Sequence, residues 1–379
     1  MIKRDFYIFF LFYLVSNVTF SQTPLENFQK YYNSGDYINA KKEIEIASSE
    51  PDNAKNPKVW LNRSEANSML FSINPTENPS SIEIAYMSIM KANFLDSNKE
   101  FGKQIVEQLN FISQLYYKKG ASDFNNKKHT IALISFERSI EIDNLMKTAN
   151  DTDKIYNAGL AASLSNNNEK IIKYFLILYN YNYKKIEVYN YLAEAYKSDK
   201  KNLQAIDVLK KGINLFPNNS YILVVNIVKL FLNMGLANDA LEYLKIGTNL
   251  YQKDDLFYLQ GSLYFQLKQD NNAIQSFRKA IEINPNNSDA AYNLGIMLYN
   301  SSINHLKTAD SFLNSKPDKY KSEKELFLSE IKEAAPLLEK ALEQDSSNKN
   351  TMICLLDIYK RLQRKKQYDM LKILLSSTK

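Results

Sequence analysis

Apolar residues recur along most of the chain at the three- and four-residue spacing of amphipathic helices, not at the two-residue alternation of strands. Between Ile186 and Asn219, Tyr189, Leu192, Ala193 and Tyr196 share one face of a first helix. Ala205, Leu209 and Gly212 share one face of a second, which stops before Pro217. From Asp254 to Asn287 the pattern returns as Phe257, Gly261 and Tyr264, then Ala273, Phe277 and Ala280 before Pro285. Ala205 to Ala273 and Pro217 to Pro285 are both 68 residues, and the stop itself recurs as Pro-Asn-Asn. Tyr221 to Lys253 fills the interval with Phe231, Gly235, Ala240, Leu244 and Gly247, so three helical hairpins of roughly 34 residues stand in register.

Small residues where two helices cross, with Tyr, Phe or Leu filling the space beside them, allow close approach and dense packing. In that arrangement the sequence resembles the tetratricopeptide repeat (TPR) family. The resemblance implies an all-α, right-handed α-solenoid of helix-turn-helix units. Looser units carry Tyr31, Gly35, Ala40 and Ala47 near the start, then Gly120, Ala132 and Phe136, then Gly159, Ala162 and Phe175. A degenerate stretch runs from Val59 and Trp60 to Ala85 and Ala92, with turns around Asn74-Pro75 and Asn78-Pro79-Ser80. Degenerate units are thus expected over 22–150 and clear ones over 151–298.

After Leu294, Gly295 and Leu298, the second-helix signature Ala334, Leu338 and Ala341 arrives 27 residues late. An enlarged penultimate unit over 288–347 follows, a hairpin of two extended helices turning at Ser315-Lys316-Pro317-Asp318, with a kink expected at Pro336. Residues 348–379 form the expected polar capping unit. Exported TPR proteins of Gram-negative envelopes look similar in this enlarged penultimate unit and closing hairpin.

Composition narrows the function. Only 9 Gly and 9 Pro occur in 379 residues, which favours helices with short connections. The 48 Lys and Arg exceed the 42 Asp and Glu by six, an excess read as scattered along the chain and so not as a nucleic-acid surface. Lys3 and Arg4 precede an apolar run from Phe6 to Val15, and Thr19 and Ser21 flank Phe20. That order predicts a signal peptide over 1–21, cleaved near Ser21, and export to the periplasm or beyond. Cys354 has no partner in the sequence and reads as a buried, inert thiol.

No candidate chemistry survives inspection. His129 and His305 lie far apart and read as solvated helix residues, leaving no metal set and no nucleophilic triad. The closest glycines, Gly235 and Gly247, are twelve residues apart, too far for a phosphate loop. Neither a catalytic site nor a cofactor nor a metal is expected, and the chain reads as a non-enzyme.

Recognition remains. The resemblance places the first helices of successive units along a concave groove. Asn190, Glu194 and Lys197, then Lys229, then Tyr258 and Phe265, then Tyr292, Ile296 and Tyr299 are expected to line it. The implied function is a scaffold or adaptor that binds a peptide segment or helix of a protein partner. The alternative is a structural subunit of a membrane-associated assembly, gripping through the convex face or the enlarged hairpin.

Overall fold

The computed structural model describes residues 23–377, so the signal-peptide reading lies outside the described residues. These hold eighteen helices and no strand, in two compact units, up to Tyr183 and from Lys184 onward. The fold is an all-α solenoid of antiparallel hairpins. The first unit pairs α1 (Pro24–Asn33) with α2 (Tyr37–Ser49), α3 (Pro57–Ile73) with α4 (Ser81–Leu95), α5 (Gly102–Asn125) with α6 (His129–Leu145), and α7 (Thr152–Leu164) with α8 (Asn168–Asn180). The second pairs α9 (Ile186–Ser198) with α10 (Asn202–Leu215), α11 (Tyr221–Asn233) with α12 (Ala237–Leu250), and α13 (Asp254–Gln266) with α14 (Asp270–Ile283). The enlarged hairpin of α15 (Ser288–Phe312) and α16 (Pro317–Gln344) follows, then α17 (Lys349–Arg361) with α18 (Lys365–Ser377).

The glycines set how closely these helices cross. A Cβ on Gly261 would stand 2.7 Å from the Phe277 ring, and one on Gly120 would stand 2.7 Å from the Phe136 ring. Gly159 faces Phe175 in the same way. Phe136, Phe175 and Phe277 are almost wholly buried, each worth about 1.5–3 kcal/mol by removal from water. Gly295 meets Leu338 at the corresponding crossing of the enlarged hairpin.

The turn inside a regular hairpin is a left-handed residue followed by a six-to-one hydrogen bond. The Lys201 amide donates to the Tyr196 carbonyl at 2.8 Å, Leu236 to Phe231 at 2.9 Å, and Gln269 to Tyr264 at 2.9 Å. These bonds satisfy orphan carbonyls at the first helix's end. Gly235 holds the left-handed position at φ 74°, but Lys200 and Lys268 hold it at φ 60°, where a Cβ is disfavoured.

In the first unit, α3, α4 and α5 pack partly through polar contacts. Ser64 Oγ donates to the Ala85 carbonyl at 2.8 Å, and Gln108 Nε2 donates to Ser64 at 3.1 Å and Ser68 at 2.9 Å. Further along, Lys154 Nζ meets Asp143 at 2.6 Å and Ser113 Oγ at 2.9 Å, a partly buried link between α5, α6 and α7. In the second unit one core runs from α14 through α18, from Ala273 and Phe277 to Met352, Leu355 and Leu371. The helix α16 runs through Pro336 without interruption.

Candidate functional site

Within the second unit, the expected groove residues separate by the partners they have. On α9, Asn190 accepts a 2.7 Å hydrogen bond from Asn226 Nδ2 of α11, and Glu194 pairs with Lys197 at 2.7 Å. Lys229, on α11, is exposed. Asn226 was not foreseen, because its role depends on where the neighbouring first helix lies.

The aromatic part begins at α13. Tyr258 is half-buried, its ring 6.0 Å from that of Phe277, and it rests on the same core as Tyr292, Ile296 and Tyr299. Phe265 is 49% exposed, with Lys268 Nζ 5.8 Å from its ring. Tyr299 is committed inside the protein: its hydroxyl donates to Asp357 Oδ2 of α17 at 3.0 Å, and Asp357 also accepts from Arg361 at 2.6 Å. Burial and then Asp357 push that hydroxyl's pKa up to about 12. The hydroxyls of Tyr258 and Tyr292 have no hydrogen bond among the described residues. Asn293 stands at the register position where Asn226 and Asn157 reach back to the preceding first helix, Asn157 donating to Tyr117 at 2.7 Å. Asn293 makes no such bond among the described residues.

Among the described residues, no group of three or more His, Cys, Asp or Glu side chains is placed to hold a metal ion. Ser113 and Lys154 lie within hydrogen-bond distance, but Ser113 is fully buried and Asp143 holds the ammonium, so the set cross-links helices. Two surface clefts of the first unit, about 480 and 560 Å³, include among their lining the ion pairs of Lys119 with Asp123 and Lys170 with Glu137. The histidines are not the solvated residues expected. His305 is half-buried between α15 and α16, its Nδ1 2.6 Å from Glu323 and its Nε2 3.8 Å from Glu330. His129 rests against the Phe124 ring at 5.1 Å, since each position faces a neighbouring helix instead of water. Cys354 is half-buried, and burial followed by Asp357 pushes its thiol pKa up.

Residues 261–309 match the family model described as a TPR repeat. No curated protein matches the sequence. Among solved structures, the MamA protein is 20% identical, with 50% of this chain and 89% of that one covered at a TM-score of 0.36. YrrB, described as a TPR protein with an unusual peptide-binding site, is 18% identical, with 51% and 97% covered at 0.40. A thermophilic TPR protein of Thermus thermophilus, TTC0263, is 18% identical, with 49% and 98% covered at 0.30. The chain carries TPR repeat sequence over residues 261–309, and the hairpins around them are helical pairs of the same kind.

Proposed function

We propose that this chain is an exported adaptor of the cell envelope that binds a peptide segment or helix of a partner protein on the face formed by α13 and α15. The observation that carries this is the aromatic stretch at Tyr258 and Tyr292. Both rings are half-buried on helices, and among the described residues neither hydroxyl has a hydrogen bond and the amide of Asn293, next to Tyr292 in sequence, has none either. Rings of this kind are already ordered, so covering them costs little conformational entropy. The amide can pair with a peptide backbone while the rings bury apolar side chains. Export rests on the order of charge, apolar run and small residues over 1–21; mass spectrometry of the native protein should find Gln22 at its start.

The test is to select peptides from a display library on the whole chain and measure their affinity for Tyr258→Ser/Tyr292→Ser. The double variant should keep its melting temperature within a few degrees and lose about tenfold or more in affinity, the loss of two anchoring rings. Unchanged affinity in a folded variant rejects this face. Partner contact would then belong to the convex surface or to the enlarged hairpin, as in a subunit of a membrane-associated assembly.

A further inference from the structure

The last described helix, α18, has an outer face unlike those of α10, α12 and α14. Gln363, at φ 56° in the turn before it, takes the place of Lys200 and Lys268 in theirs. Counted from that turn, Met370, Ile373 and Leu374 fall where α10 has Asp207, Lys210 and Lys211, and where α14 has Gln275, Arg278 and Lys279. Among the corresponding positions of the three hairpins from α9 to α14 only Ile246 is apolar, whereas α6 has Ile134 and α8 has Leu176 and Ile177. Met370 is 64%, Ile373 70% and Leu374 41% exposed. The side of α18 toward the core is filled by Tyr368, Leu371 and Leu375. The positions that α10 buries with Ile206, Leu209 and Ile213 hold Asp369, Lys372 and Ser376, so the apolar strip is not a stacking face for another such hairpin.

Charge gathers on the same hairpin. Residues 349–379 hold eight Lys and Arg against two Asp, an excess equal to that of the whole chain, so the remaining residues are balanced. This corrects the scattered distribution expected from composition. Arg361 and Arg364 are engaged, with Asp357 at 2.6 Å and Glu339 at 3.1 Å. Lys360, Lys365, Lys366 and Lys372 are exposed and enter no ion pair among the described residues.

We infer that α18 docks this chain on an anionic lipid surface, Met370 and Ile373 entering the headgroup boundary while Lys365, Lys366 and Lys372 face lipid phosphates. An exposed apolar strip with unpaired lysines on one amphipathic helix is the chemistry of interfacial binding, and long lysine stems let the ammonium groups reach outward from an inserted helix. Three side chains on one helix fall well short of the roughly 800 Å² per partner of a standard protein interface. A nucleic acid would use the lysines and leave the strip in water. No described helix is long and apolar enough to cross a membrane, so the contact is peripheral.

Flotation of the whole chain with vesicles tests this. Vesicles of phosphatidylcholine alone should leave it in solution, and vesicles with three parts in ten phosphatidylglycerol should carry it up, released by about 0.5 M salt. Met370→Ser/Ile373→Ser and, separately, Lys365→Gln/Lys366→Gln/Lys372→Gln should each cut partitioning about tenfold at unchanged melting temperature. Absence of the wild-type protein from the anionic vesicles, or undiminished binding by the strip variant, overturns the inference. So does a chain that ignores vesicles but self-associates until Met370 and Ile373 are replaced, which would make the strip an interface between copies.

Discussion

Two halves of one stripe of first helices, α9 with α11 and α13 with α15, share a register but satisfy themselves differently. On α9 and α11 the polar groups meet one another: Asn226 bonds Asn190, and Glu194 bonds Lys197. On α13 and α15 the corresponding surface is aromatic, and Tyr258, Tyr292 and Asn293 have no such partner among the described residues. In the first half, the Asn226 bond ties neighbouring hairpins and the Glu194 pair lies within α9. The second half has committed Tyr299 to Asp357 but left Tyr258, Tyr292 and Asn293 unbonded among the described residues, and unbonded groups of that kind suit a recognition surface.

The comparison breaks most sharply at Phe277, which fills the crossing beneath Tyr258. Phe277→Ala should cost about 3–5 kcal/mol in chemical denaturation and loosen the aromatic half, with peptide affinity falling alongside stability. A loss below about 1 kcal/mol would mean that Tyr258 is not supported from below.

A smaller effect belongs to Tyr299, the one aromatic of that half already committed. Its hydroxyl has a folded pKa of about 12 against an ordinary value of 10.0, so the folded state keeps the proton longer. The stability this contributes is fully present below pH 10 and is lost as pH rises through 12. Tyr299→Phe should flatten the alkaline fall in melting temperature over that window by one proton's share, without weakening peptide binding. An unchanged alkaline slope would place the shift on other tyrosines.

The smallest effect lies in the turn of the self-satisfied half. Lys200 sits at φ 60°, and Lys200→Gly should raise stability by up to about 1 kcal/mol, since the left-handed region costs glycine nothing. Destabilisation by thermal melting would show that the lysine side chain itself matters there.

The regular hairpins were legible because their crossings depend on residue size: Gly261 with Phe277 and Gly159 with Phe175 show up as a repeated sixteen-residue spacing in the sequence. The α3 to α5 region was less so, because beside an apolar core that includes Ile89 and Ile112 it is held by hydrogen bonds among Ser64, Ser68 and Gln108, which the repeat spacing does not announce. Turns at Lys127, Lys200 and Lys268 were equally hidden, as lysine gives no sign of a left-handed backbone. In the candidate site, the sequence pointed to the aromatic positions, but it could not separate Tyr299 from Tyr258 and Tyr292. That distinction depends on Asp357, 58 residues away. The basic C-terminal hairpin was written in the sequence, but a chain-wide average conceals a local excess.

The central claim is that the uncommitted half does the binding. Amide hydrogen exchange, measured on the whole chain alone and saturated with the tightest selected peptide, reads this directly. Protection should rise across residues 254–266 and 288–299, with 186–198 and 221–233 unchanged. Protection confined to α9 and α11, or to the second helices α10, α12 and α14, would contradict it.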